Sequence, residues 1–517
     1  MRASGFKLYV KSENGISEYT THDCKKLEFS ISEQKSGDTV ILRGYLTAKE
    51  EIRPIWLDVM IPYDLRGLSF NANGFQSWSE SPLIDKSKGI GKLASLPGRM
   101  FRLRCFGDYH FNRRAASAGT AYSHLYLDMQ SDGKTDLFLG DLKPHDSYTM
   151  FSVNYIENMI TASSDLEGLC IREGESVELF AVCIVGSSDE WFSILNIERL
   201  GAGRITGWTS WYNYYTKITE YILEANMKAL HEARIPMDIF QIDDGYFANV
   251  GDWLEPNGSF PGGMKALADE VRSYGWTAGI WSAPFVTDNE SSIFKEHSGW
   301  ILRTNEGKLQ PAGWNPNWTG VFYALDIYNE ELRDYLREVY STTIDDWGYG
   351  FLKLDFLYAA GLQPREGKTR CMVMSDAMDF LLESTNGAKI LACGVPIGPV
   401  VGKCHYCRIG GDISHGWEDR FLKTINYRER VSTVSSLGNT KSRYHLNGKA
   451  FLNDPDVFIL RDTKEIKMSE DEKQILFDTN LEKSGLVFFS DDISMYTEEK
   501  VKMVREAFTG YKGSGGD

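Results

Sequence analysis

FLKLDFLYAAG, residues 351–361, sets one lysine and one aspartate into an otherwise apolar run. Lys353 and Asp355 are two apart, so on a strand both side chains leave the same face. An unpaired charge is costly to bury. A strand that ends with a cation and an anion side by side is therefore either a structural ion pair or part of a reactive site, and the surrounding sequence decides between the two.

From about residue 200 the chain alternates strand-like and helical runs. The strand-like runs are RITGWTSW, MDIFQIDD, WTAGIWSAP, FLKLDF, KILACGV, CRIGGDI, KAFLNDPD and GLVFFSDD. Helical patterns such as TEYILEANMKALHEA, MKALADEVRSYG and RFLKTINYRERVSTVSS (420–436) separate most of them. Repeated βα units predict a parallel sheet with right-handed crossovers, and eight of them predict a (β/α)8 TIM barrel, here over 199–510. Residues 1–198 differ: short alternating runs such as TVILRGYL and IWLDVMI sit between Gly, Asn and Asp turns, which predicts an N-terminal β-sandwich. The fold expected is multidomain, with a disordered tail at 511–517.

In such a barrel the C-terminal strand ends carry the chemistry. They offer Trp208, Trp211 and Tyr212; Asp243 and Asp244; Trp281; Lys353 and Asp355; Cys393; Arg408 and Asp412; Asp454 and Asp456; and Asp491 and Asp492. A lone strand-end aspartate is usually a helix cap. Five strands delivering aspartate beside aromatic rings point instead to a sugar, whose hydroxyls donate to carboxylates and whose apolar face lies on an indole. Two of the carboxylates could form the pair that glycoside hydrolysis requires.

Other classes fit less well. The net charge of −16 argues against a nucleic-acid partner, because the basic clusters are as short as Arg102/Arg104 and Arg113/Arg114. No apolar run approaches the length of a membrane span, and MRASGFKLYVKSENG has no signal-peptide core. Eight scattered cysteines fit a reduced, cytoplasmic protein. Few histidines stand near the strand ends, and Cys404 and Cys407 lack two further ligands at matched spacing, so no metal is expected. No phosphate-cradling glycine loop appears, and no cofactor is expected.

GWTSWYNYY (207–215), FQIDDGY (240–246), GIWSAPF (279–285), FLKLDF (351–356), ACGVP (392–396), RIGGD (408–412) and FLNDPD (451–456), in that order, resemble the retaining α-galactosidases of glycoside hydrolase family 36. NGFQSWSE (73–80) resembles the sandwich loop that reaches the active site in that family. The resemblance implies a β-sandwich, a barrel and a small C-terminal β domain. That last domain is expected to be absent or reduced here, since the sequence stops soon after the helix following strand eight. By the same resemblance, Asp355 is the nucleophile and Asp412 the acid/base. Asp243 and Asp244 take the galactose 4- and 6-hydroxyls, and Lys353 and Arg408 hold hydroxyls near the nucleophile. Trp211, Tyr212, Trp281 and Trp78 wall the pocket, and Cys393 lies near C2. Lys353 is expected to help keep Asp355 ionised. The substrate implied is a short oligosaccharide with terminal α-galactose, of melibiose or raffinose type. Gly411, where some relatives carry a bulkier residue, is expected to widen the pocket. That keeps α-N-acetylgalactosaminidase as an alternative, beside α-galactosyl transfer and, more distantly, non-catalytic sugar binding. A homo-oligomer is possible, since the Trp78 loop must come from its own chain or a neighbour.

Overall fold

The structure, a computed structural model, describes residues 2–12, 15–20, 27–107, 119–365 and 367–513. Cys24, Arg113 and Arg114 lie outside the described residues.

Two antiparallel sheets make up the N-terminal half. One has six strands, in the spatial order Gly15–Thr20, Gly5–Ser12, Arg53–Pro62, Met159–Asp165, Tyr148–Asn154 and Thr120–His124. The other has seven, running from Leu27–Ser36 and Thr39–Ala48 through Ser176–Val185, Lys134–Asp141 and Tyr126–Ser131 to Ser69–Asn71 and Leu83–Ile84. In Thr39–Ala48 every second residue is buried, the period-2 pattern of a strand with one face on a core. Leu8, Leu57 and Ile160 of the first sheet and Leu42, Leu127 and Val182 of the second belong to one apolar cluster. Each such side chain, fully buried, contributes about 1.5–3 kcal/mol.

A nine-stranded sheet forms the second half, and every pairing in it is parallel. Its strands are β1 (Ile205–Thr209), β2 (Ile239–Ile242), β3 (Thr277–Ser282), β4 (Phe351–Leu354), β5 (Lys389–Ala392), β6 (Tyr406–Arg408), β7 (Leu452–Asp454), β8 (Val457–Phe458) and β9 (Leu486–Phe489). The spatial order is β7-β6-β5-β4-β3-β2-β1-β9-β8. The sheet curls so far that its two edge strands, β7 and β8, are separated in the chain only by Pro455 and Asp456. All four residues of β2, β4 and β9 are buried, as expected of strands covered on both faces.

Helices alternate with these strands and start on side-chain caps. The Thr219 hydroxyl accepts from Ile222 N ahead of Glu220–Glu232, Asn329 caps Glu330–Ser341, and Ser469 forms a capping box with Glu472 ahead of Glu470–Lys483. Among the described residues no helix is long and apolar enough to cross a membrane.

Three features depart from expectation. The helical run expected over 420–436 is two helices, Arg420–Thr424 and Thr433–Ser442. Asn426 takes a left-handed backbone (φ 55°) and Ser432 caps a new helix, and Tyr427, Arg428, Glu429 and Arg430 in the connection between them are buried. A small antiparallel sheet of Val286–Thr287, Gly320–Ala324 and Pro311–Asn315 is inserted after β3. Tyr511, expected to open a disordered tail, belongs to the helix Glu498–Gly513, is buried, and donates its hydroxyl to Ser484 O at 2.9 Å, while 514–517 lie outside the described residues.

Candidate active site

The C-terminal ends of the parallel strands open into a cleft of about 540 Å³, lined by Asp243, Asp244, Lys353, Asp355 and Asp412 with Trp78, Trp211, Tyr212 and Trp281. Sequence reasoning named all nine. Arg408 and Cys393, also named, stand behind this lining.

Register sets the first group of contacts. Trp281 on β3 pairs with Lys353 on β4, so both share a face with Asp355, the first residue after β4. The Trp281 indole donates to Asp355 Oδ2 at 3.0 Å, and Phe356 N donates to the other oxygen at 2.8 Å. Phe356 reaches back through a left-handed backbone (φ 52°), a conformation that costs an L-residue about 1–2 kcal/mol. Burial raises the Asp355 pKa, against the lowering effects of Lys353 and Trp281.

The opening pair is not the closest one. Lys353 Nζ donates to Asp243 Oδ2 at 2.8 Å, with both side chains buried. Asp243 also accepts from Gln241 at 2.7 Å and from the backbone N of Asp244 at 2.9 Å. Burial opposes the lysine's charge, yet Asp243 and the other anions nearby raise its pKa overall. Lys353 thus favours the ionised Asp355 through its field, while its hydrogen bond holds Asp243. Asp244 accepts the Trp318 indole N–H at 2.9 Å, and burial pushes its carboxyl up to about 7.

The second group surrounds Arg408, the last residue of β6. Its Nε donates to Asp454 Oδ2 at 2.7 Å, and its two terminal nitrogens lie 3.1 Å from Asp412 Oδ1 and 3.1 Å from Asp456 Oδ1. The guanidinium expected to hold sugar hydroxyls is therefore engaged by three carboxylates. Asp412 lies four residues beyond the strand, its side chain 37% exposed. Tyr212 donates its hydroxyl to Asp456, as does Ile413 N at 2.9 Å, and burial raises the Asp456 carboxyl to about 7. Asp491 and Asp492 are structural: Asp491 takes the Arg461 guanidinium and Leu460 N, and Asp492 caps the turn at Ile493–Met495.

The loop 73–80 reaches the site from its own chain. The Trp78 indole donates to Cys393 Sγ at 3.3 Å and packs edge-on to Phe356, ring centroids 5.1 Å apart. A Cβ at Gly394 would lie 2.6 Å from the Trp78 ring, and Gly394 has φ +58°, so only glycine fits beneath the indole. Fully buried Arg443 ties the loop down, donating to Asn73 Oδ1 at 2.8 Å, Ser77 O at 2.7 Å and Ile409 O at 2.7 Å. Gly411 does not widen the pocket: a Cβ there would meet Arg430 O at 2.8 Å, because the connection after Asn426 closes against it.

Sequence reasoning missed Trp318, Trp314, Phe106, Tyr427 and Arg443. Trp314 and Trp318 stand in WNPNWTG, where an aromatic pair around Asn-Pro-Asn marks a turn with rings to place. Nothing local marks Arg443, whose partners are distant in sequence. Among the described residues no group of three or more His, Cys, Asp or Glu side chains is placed to hold a metal.

The family model for Melibiase matches residues 205–366. An α-galactosidase from Escherichia coli is 28% identical over 149 residues, 28% of this chain but only 20% of that protein. The Mel36A α-galactosidase of Lactobacillus acidophilus is 26% identical over 129 residues, 24% of this chain and 17% of that protein. The sequence matches thus span a fifth or less of these relatives' lengths. The solved α-galactosidase of Thermus thermophilus, in complex with p-nitrophenyl α-D-galactopyranoside, superposes with a TM-score of 0.75 at 26% identity, covering 97% of this chain and 94% of that one. The family 36 enzyme AgaA of Geobacillus stearothermophilus shares the fold, with a TM-score of 0.61 at 14% identity over 98% of this chain and 75% of that one. The proteins this chain is similar to are α-galactosidases, one of them of glycoside hydrolase family 36, the family whose motifs the sequence resembles.

Proposed function

We propose that the chain hydrolyses terminal α-linked galactose from short oligosaccharides and retains the anomeric configuration. One observation carries the reading: a buried carboxylate oriented by two N–H donors, Asp355, shares a cleft with a half-exposed carboxylate on an arginine, Asp412. Asp355 attacks the anomeric carbon as the bond to the leaving oxygen breaks, and that oxygen takes the Asp412 proton. A covalent β-galactosyl ester forms. Asp412, now ionised, takes a proton from water, whose oxygen attacks the same carbon. Asp355 leaves, and α-galactose is released.

Asp243 and Asp244 accept sugar hydroxyls, with Lys353 fixing Asp243. Trp281, Trp211, Tyr212 and Trp78 wall the ring. Arg408 and Cys393 act as positioning groups, through Asp412 and Trp78. The fold reading that goes with this is an N-terminal β-sandwich over 1–198 and a closed (β/α)8 barrel over 199–510. The two-residue join between the edge strands β7 and β8 supports closure. Cys105, Cys183, Cys371, Cys393, Cys404 and Cys407 are free thiols, which supports a reducing, cytoplasmic setting.

Initial rates on the 4-nitrophenyl α-galactoside, α-N-acetylgalactosaminide and α-glucoside test the sugar. Turnover of the first alone is expected, and turnover of only another overturns the reading. Proton NMR of the first-formed product tests retention: α-galactose is expected, and β-galactose would sink the double displacement.

A further inference from the structure

The cleft has two unlike ends. Its inner end carries Asp243, Asp244, Lys353 and Asp355. Asp412, its side chain 37% exposed, falls between these buried groups and the exposed rim. An acid at Asp412 must face the glycosidic oxygen, so whatever lies past Asp412 meets the leaving group and not the galactose. The chain itself leads there: the strand and loop that carry Asp412 run into Arg420–Thr424 and the connection after it.

That outer end is walled by Phe101 and Leu103 from the N-terminal half, Trp314 from the inserted sheet, and Phe421, Ile425 and Val431. Three separate elements thus converge with apolar side chains. Ala94 N donates to Ile425 O at 2.9 Å, and Phe101 and Trp314 lie 5.4 Å apart by centroid, so the three elements are packed together. Phe421 is 62% and Val431 43% exposed, and on the short helix leading to Phe101, Leu96 and Met100 are 66% and 61% exposed. The polar residues of this end are partly committed: Asn315 Oδ1 accepts Asn317 N at 3.0 Å, and Glu429 Oε1 accepts the Ser79 hydroxyl at 2.5 Å. A second sugar seated here would meet Asn315, Asn317, Tyr427 and Glu429 on one side but press its remaining hydroxyls against the apolar wall. An alkyl or aryl group would remove the exposed wall from water.

We propose that the outer half of the cleft is an apolar leaving-group subsite, so that α-galactosides of apolar alcohols are turned over beside those of a second sugar, and faster. This inference rests on the α-galactosidase reading above.

The test is kcat/KM of the full chain on methyl, butyl, hexyl and octyl α-galactosides below micellar concentration, with melibiose beside them. The alkoxides leave with similar intrinsic difficulty, so differences report binding beyond the oxygen. A rise of about threefold per methylene over the first few carbons is expected, with melibiose below hexyl. Phe421→Ser is expected to cut the octyl-to-methyl ratio at least fivefold, a readout that a general loss of activity does not move. A flat series alongside turnover of methyl α-galactoside overturns the subsite and leaves the galactosidase reading standing, as does melibiose exceeding octyl. A flat series from a dimer that Phe421→Ser dissociates in sedimentation also overturns it, and assigns the rim to a second copy of the chain. Failure on every α-galactoside overturns both readings.

Discussion

The Lys353 and Arg408 clusters hold the same formal charges, one cation among three carboxylates, yet solve the problem differently. Lys353 is a point charge and gives its hydrogen bond to Asp243, leaving Asp355 and Asp244 to indole and backbone N–H groups. Arg408 is a planar fork and touches Asp412, Asp454 and Asp456 together. In the first cluster Asp243 takes Lys353, Gln241 and the Asp244 N–H, whereas Asp244 takes the Trp318 indole and keeps acceptor capacity that a ligand's hydroxyls can use. In the second, one fork contacts all three carboxylates, Asp412 included. On the proposed reading, cation choice separates a half that binds from a half that positions.

The comparison can be broken most severely at Asp355. Asp355→Ala lowers kcat by roughly 10⁴-fold or more, and azide restores turnover with β-galactosyl azide as product; a variant above a tenth of the native rate sinks the assignment. Asp412→Ala lowers kcat/KM by about 10²–10⁴-fold on alkyl galactosides. It does so far less on 2,4-dinitrophenyl α-galactoside, which leaves without a proton, and azide then yields the α-azide. Equal losses on both substrates would remove Asp412 from the acid role. Arg408→Lys sharpens the contrast between fork and point charge: about 3 kcal/mol of stability is expected to go, read by urea unfolding, because a buried carboxylate loses its partner. An unchanged midpoint would mean that the fork is dispensable.

The smallest effect concerns pH. The Asp244 carboxyl, near 3.8 in the unfolded chain and about 7 in the fold, holds its proton more tightly when folded. Its contribution to stability is therefore present at acid pH and lost as pH rises from about 4 through 7. Asp244→Asn removes that loss. Its Tm relative to the native chain should climb by roughly 2–4 °C between pH 4.5 and 7.5; a constant or falling difference contradicts the raised pKa.

Much of this was legible in the sequence. The eight strand-like runs all appear in the parallel sheet, because strands buried on both faces leave long apolar runs. The nine cleft residues were legible because each stands at or just beyond a strand end. The break at Asn426 was not, since a left-handed residue inside a helical pattern leaves only a weak mark. The helix Glu470–Lys483 was hidden because it buries Lys473 and Asn480 along with Leu476 and Phe477, blurring its apolar stripe. That Lys353 serves Asp243 before Asp355 was out of reach, since it depends on how β2 and β4 sit across the sheet from one another.

The anchoring of the Trp78 loop by Arg443 has a consequence in time. Asn73 and Arg443 are 370 residues apart in the chain. A ribosome adding about 5–20 residues per second needs roughly 20–70 s to make the second after the first. During that interval the N-terminal sheets can fold while the tryptophan loop waits, indole exposed, for a partner not yet synthesised. Galactoside turnover on stalled nascent chains should accordingly begin only after residue 443 has cleared the exit tunnel, well behind the first folding of the N-terminal half.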